Sequence, residues 1–443
     1  MSEPAPIVID VWLSNHPIPG FLDPVAEAVE SFNRAHPQYE VRTREIFFRD
    51  LPAEVVRAVE AGNPPDIADY YFTGTQLARD TRGPDGRPLF TSVQQAIGDR
   101  TKILGEPVVL DDVLPEIRDY YSDGDDLVSM PSIASTALLF GNVDLLRRAG
   151  IEEMPRTWAD LEAACAAVAA LPDGPAHGVS WPNHGWMMQM ELSAQSGLLG
   201  DHDNGRSGRA TTVTLDSPEI LDHVRWWVRM RDAGHYLDTG EQRDWIGGME
   251  AFARQEIAFV AGSSATVLMF EGMAAEAGFG LTAGPLPRNA DRPYAGRSLG
   301  GQSMFLTAGL PADKEDGALA FLQHLLNPRN AVGRQHAQSA PVTAASDELA
   351  AAEGWFEQHP AFRTAADVIA SSDRSPAATG AMMGDLNGIN DALTAAMEDV
   401  LNHGADPETR FRKATEDAQA LLDRYNAACL ADPPRTPDAL EVG

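Results

Sequence analysis

The chain has 443 residues, with 34 Lys and Arg against 65 Asp and Glu, a formal net charge of −31 at pH 7. A field this negative repels phosphate backbones and anionic membrane surfaces, so nucleic acid and lipid headgroups are excluded as natural partners. Hydrophobic residues at 44% and charged residues at 22% give the balance of a folded globular protein, and the length favours two lobes over one core.

Ile7–Trp12 is an apolar run that predicts a strand, followed by Asp23-Pro24 as a helix opening with Asp23 as cap. Val25, Ala28, Val29 and Phe32 then share one helical face. Tyr39–Phe48 predicts a second strand, and Leu51–Glu60 a helix with Val55, Val56 and Val59 inward, stopped by Gly62-Asn63-Pro64-Pro65. Asp66–Tyr71 predicts a buried strand. This β-α-β-α-β order predicts a mostly parallel sheet covered by helices.

A second unit begins near Leu127, with strands expected at Val128–Pro131 and Thr136–Phe140 and a helix over Asp144–Arg148 that closes at Gly150. Thr157 and Asp160 have the spacing of a capping box. Strand sequence returns at Ile257–Ala261 and Met304–Thr307, and Asp385–Ala428 predicts two closing helices. The Asp-, Gly- and Arg-rich segments 81–88 and 201–210 read as exposed loops. The late return of strands predicts two α/β lobes crossed more than once by the chain, with a ligand cleft and a hinge between them.

Tests for catalytic and metal chemistry come back empty. No phosphate-binding glycine loop, nucleophile elbow or zinc-protease helix motif is present. Cys165 and Cys429 have no partner spacing for a disulfide framework or zinc, and Cys165 reads as a small core residue. Neither a cofactor nor a metal is expected. Asp66 and Asp69 read as strand-end groups, and Glu191 as a solvated or salt-bridged position on a helix. No run of ~18 apolar residues predicts a membrane-spanning helix. The first residues show no export signal and no cysteine for lipidation, so the chain as given, if complete, would be cytoplasmic.

Aromatic and small polar residues gather at the ends of the expected strands. Trp12, Ser14, Asn15 and His16 follow the first, and Tyr70, Tyr71, Phe72 and Thr73 close the third. Trp181, Asn183, His184 and Trp186 form another group, Ser263 and Ser264 follow Gly262, and Gly300 and Gly301 precede Gln302. In open α/β sheets the carboxyl ends of strands face the ligand crevice. Rings that stack on CH faces, with hydroxyls and backbone NH groups between them, suit sugars and polyols.

Pro64-Pro65-Asp66-Ile67, Ser129-Met130-Pro131 before Ser135-Thr136, the step from Ala149-Gly150 to Pro155-Arg156-Thr157-Trp158, and Phe252-Ala253 before Glu256-Ile257-Ala258 occur in a familiar order. Over residues 7–427 the chain resembles the family 1 extracellular solute-binding proteins of ABC transporters, and within them the glycerol-3-phosphate-binding branch. Tyr120-Tyr121-Ser122-Asp123, Gly185-Trp186, Gly300-Gly301 and Gly380 with Gly384 carry the closer likeness. The resemblance implies a periplasmic-binding-protein fold of class II: two α/β lobes, each a mostly parallel sheet with flanking helices, joined by a hinge around a cleft. The boundaries expected are 1–129 with 266–330, and 130–265 with 331–443, with the hinge near 127–133, 262–267 and 310–335.

The resemblance also implies an extracytoplasmic monomer that delivers a small molecule to an ABC permease. Ser135, the Ser263-Ser264 pair and the Gly300-Gly301 pair match binding positions of that branch, whereas its early Tyr, its Glu, its later Tyr and its phosphate-pairing Arg fall on Phe48, Phe72, Ser339 and Met382. An unpaired phosphate costs several kcal/mol to desolvate, so the expectation is an uncharged, carbohydrate-like or partly apolar ligand. Trp12, Trp181 and Trp186 are the expected stacking platforms, Tyr70, Tyr71 and Phe72 a wall, with Asn15 beside them. Two alternatives are an intracellular enzyme or carrier on the same fold, with Glu191, Asp69, His16 or His184 as its acid–base groups, and a soluble scavenger that has lost transport.

Overall fold

The computed structural model describes residues 5–330, 332–333 and 340–437. The first sheet contains β1 (Ile7–Asn15), β2 (Tyr39–Phe47), β3 (Ile67–Tyr71) and β4 (Phe90–Thr91). Two short hairpins follow, β5 (Lys102–Ile103) with β6 (Glu106–Pro107), and β7 (Ser122–Asp123) with β8 (Asp126–Leu127). The chain then runs through β9 (Met130–Ser135) and β10 (Ala137–Asn142), later β11 (Val179–Ser180), β12 (Phe259–Ser263) and β13 (Leu281–Pro285), and finally β14 (Gly300–Thr307).

Among the described residues the first sheet has the order β2-β1-β3-β14-β4, with β9 beside β14, and the second has β11-β12-β10-β13. β1 lies parallel to β2 and β3, as the β-α-β order predicts, but β14 runs antiparallel to β3, β4 and β9. The second sheet departs further, because β10 is antiparallel to both β12 and β13. The cause lies in the route of the chain. β9 leaves the first lobe through Thr136, so β10 enters the second sheet from the cleft side, and β14 likewise re-enters the first sheet from that side.

The first crossing is at Thr136, held by Ser264, whose Oγ accepts the Thr136 N–H at 3.1 Å and whose own N–H donates to Thr136 O at 2.8 Å. Residues 262–267, where a hinge is expected, bond to Thr136 in this way, and β13, within the segment 266–330 expected in the first lobe, pairs with β10 of the second sheet. A buried carboxylate ties the strands at this junction. Asp69 on β3 accepts from Ser132 Oγ of β9 at 2.8 Å and from Gln302 Nε2 of β14 at 2.8 Å.

Local signals hold in detail. Thr157 Oγ1 accepts the Asp160 N–H at 3.1 Å while Asp160 returns the bond to the Thr157 N–H at 2.9 Å. The first helix spans Asp23–Ala35, so Asp23 is its first residue and Leu22 its cap, one position earlier than expected. Residues 201–210 are not a free excursion. Arg206 lies over the Tyr120 ring at 4.4 Å, and Arg209 pairs with buried Asp80 through Nη2 at 2.5 Å. Tyr425, on the last helix Pro407–Cys429, donates to the same Asp80 at 2.9 Å. No described helix is long and apolar enough to cross a membrane.

Candidate functional site

The parallel strands β1, β2 and β3 end side by side, and the residues just beyond them meet at one mouth. His16 stacks on Phe48 with ring centres 4.4 Å apart and planes 12° from parallel. Tyr71 meets both rings edge-on, at 5.2 Å from His16 and 4.8 Å from Phe48. Burial lowers the His16 pKa to about 4, so its imidazole is neutral at pH 7 and acts as one more aromatic face.

The second lobe supplies the opposite wall from two helix starts. His184 caps the helix Gly185–Ala194, its Nδ1 accepting the Trp186 N–H at 3.0 Å, which leaves the proton on Nε2. Burial above all, and then the charges of Arg243 and Arg49, push its pKa down to about 3. Trp245 opens the helix Trp245–Ala253 and lies 5.6 Å from His184 and 5.8 Å from Trp186.

Trp186 is one of the points where the lobes touch. A Cβ on Gly300 would lie 3.2 Å from its Cζ2 and 2.8 Å from Ser135 Oγ, so glycine lets β14 reach the indole. Three charged groups meet beside it. Arg49 follows β2, while Arg243 and Asp391 belong to the second lobe. Arg49 Nη2 lies 3.0 Å from Asp391 Oδ1, and Arg243 Nη2 binds the same oxygen. Asp391 sits on the helix Leu386–Asn402, which packs on Gly185–Ala194 and on the turn Phe72–Gly74.

The structure distributes the expected residues unevenly. Phe48, Tyr71, Ser135, Trp186 and Gly300 lie at the junction of the lobes. Asn15 borders it but gives its side-chain NH to Glu45 at 3.0 Å. Phe72 is buried behind Tyr71, against Tyr120. Trp12 is not a platform: it packs in the first lobe with Ile46, Leu51 and Val55, under the Arg44 guanidinium. Tyr70 packs in that cluster against Phe90 and Phe305.

Trp181 is also core. It stacks on Trp226 at 5.2 Å, and Trp226 stacks on Trp158 at 4.8 Å, each pair within 8° of parallel. Ser263 Oγ caps a helical turn through the Ala265 N–H, and Ser264 is committed to Thr136. Gly301 has φ +142 and its missing Cβ would lie 2.1 Å from Ile133 O, so its glycine serves strand pairing. Met382 is 2% exposed and packed in the interior, its N–H bonded to Asn204 O, so the loss of an arginine there does not describe the mouth. Ser339 lies outside the described residues.

The acidic candidates are engaged elsewhere. Glu191 pairs with buried Arg297 at 2.6 Å, and Asp69 holds the hinge strands. The reading by sequence missed Arg49, Arg243, Trp245 and Asp391. Only the two helix starts left a local trace, Asp244 being the side-chain cap of Trp245–Ala253.

The family model of the bacterial extracellular solute-binding proteins matches residues 27–364. The chain belongs to this family. It is a solute-binding protein that captures a small molecule between two lobes for ABC-type uptake, and the family places it outside the cytoplasm. Among curated relatives, the sn-glycerol-3-phosphate-binding periplasmic protein UgpB of Escherichia coli K12 is 25% identical over 410 residues, 90% of each chain. The fold matches that of the cyclic α-maltosyl-1,6-maltose binding protein of Arthrobacter globiformis, with TM-score 0.74, 19% identity and coverage of 94% and 99%. It matches UgpB of Mycobacterium tuberculosis, solved with glycerophosphocholine, with TM-score 0.72, 19% identity and the same coverage.

Proposed function

We propose that this solute-binding protein takes a small polyhydroxylated solute at the mouth formed by His16, Phe48, Tyr71, Trp186 and Trp245. The observation that carries this reading is the meeting of aromatic faces from both lobes around the Trp186–Gly300 contact. Aromatic faces stack on the CH surfaces of a sugar, and lobe closure removes the solute from water. For the aromatic faces alone an uncharged sugar or polyol suffices. Relatives with related folds bind maltose-type sugars and glycerophosphocholine, which supports a hydroxylated solute in the same cleft. The lobes of this reading are 5–135 with 300–325, and 137–299 with 344–437. The membrane partner is an ABC permease.

A thermal-shift screen over sugars, polyols and their acids tests the proposal. A solute at 100 times its Kd stabilises the fold by ~2.7 kcal/mol. Trp186→Ala should abolish the shift. A solute that shifts the wild type and the Trp186→Ala variant equally would place binding elsewhere.

A further inference from the structure

Two guanidiniums, Arg49 from the first lobe and Arg243 from the second, share the single carboxylate of Asp391. The neighbouring acids take neutral donors, Asp244 capping the Gly247 N–H at 2.7 Å and Glu398 accepting from Asn183 at 3.4 Å and Asn402 at 2.8 Å, while Asp385 stands close enough to Asp391 for the two charges to interact. Arg243 also keeps a donor in hand, because its Nε is buried and makes no hydrogen bond among the described residues. A buried guanidinium N–H without an acceptor is costly, and an anionic oxygen is its strongest partner.

We propose that Arg49 and Arg243 form a carboxylate-binding site and that the solute of this cleft is a sugar acid, a polyol body carrying one carboxylate. The proposal rests on solute capture at the aromatic mouth and adds the charge class. The structure already shows which group fits between the two guanidiniums, since the Asp391 carboxylate occupies that place. The aromatic faces take the body of the ring, and the site closes only when both lobes contribute their arginine.

Matched probes test this: glucuronate and galacturonate, their neutral methyl glycosides, and glucose 6-phosphate, measured by calorimetry on the wild type and on Arg243→Gln, Arg49→Gln and Asp391→Asn. The expected result is that an acid binds at least ~10-fold more tightly than its neutral partner, and that either arginine variant removes this difference. Asp391→Asn should tighten the acid, because it removes a competing carboxylate. A purely structural ion cluster would weaken binding in all three variants alike, so the opposite sign for Asp391→Asn separates the two roles. The Arg49 variant keeps the test alive if Arg243→Gln fails to fold. Neutral glycosides that bind as well as the acids, or a sugar phosphate that binds more tightly, would overturn the carboxylate assignment while leaving solute capture standing. No binding of any probe would count against both.

Discussion

His16, His184 and His223 are neutral because they are buried, with pKa values lowered to about 4, about 3 and about 4. In the unfolded chain each would titrate near 6.5. Between pH 6.5 and 4 the unfolded chain therefore binds protons that the folded chain refuses, and stability falls as pH falls. Each such histidine costs up to ~1.4 kcal/mol per pH unit within that window. The melting temperature should drop steeply from pH 6.5 to 4.5, and His223→Phe should flatten the slope. An unchanged slope would show that other groups dominate. Gly301 makes a second prediction at this scale. Its positive φ and the nearness of Ile133 O mean that Gly301→Ala should destabilise by ~1–3 kcal/mol, read as a lower denaturation midpoint. Sequence reading was least secure at this scale for a physical reason. Trp12 lies inside a strand covered on both faces and Trp186 opens a helix buried all round, so neither alternation nor helical period can tell core from cleft. Arg49, Arg243 and Asp391 are far apart in the chain and converge only through the fold.

Elements were far more legible. Periodicity and capping located β1 to β3, the helix Leu51–Glu60, the Thr157 cap and both closing helices within a few residues. The antiparallel entries of β10 and β14 were not legible, because strand direction depends on where the chain crosses, and no local pattern records that. The crossing strands make their own prediction. Asp69→Ala would strand the Ser132 hydroxyl in the interior, at ~1–3 kcal/mol, and leave the Gln302 amide with only its bond to Ser14 O at 3.0 Å. Urea unfolding should show a loss of ~1–3 kcal/mol. An effect below ~1 kcal/mol would mean that water replaces the carboxylate.

For the whole molecule, the two-lobed architecture and the family were readable from ordered motifs spread along the chain, whereas the buried contact around Asp80 was not. Asp80 of the first lobe is held by Arg209 and Tyr425 of the second. Burial pushes the Asp80 pKa up, but the Arg209 guanidinium and the hydrogen bonds of Gln76 and Tyr425 together outweigh it and keep the carboxyl below its ordinary range. Asp80→Asn should release this contact and populate an open form, seen as a larger radius of gyration in small-angle scattering without solute. An unchanged radius would assign closure to the Arg49–Asp391–Arg243 cluster instead.

The protein has 8 tryptophans, and their placement gives it two separate optical reporters. Trp158, Trp226 and Trp181 form a parallel stack deep in the second lobe, at 4.8 Å and 5.2 Å. Indoles that close share their excited states, so near-ultraviolet circular dichroism should follow the integrity of that lobe and ignore the cleft. Trp186 and Trp245 stand where the lobes meet, and their emission should follow closure. A single unlabelled sample can thus distinguish a variant that fails to fold from one that folds and fails to close.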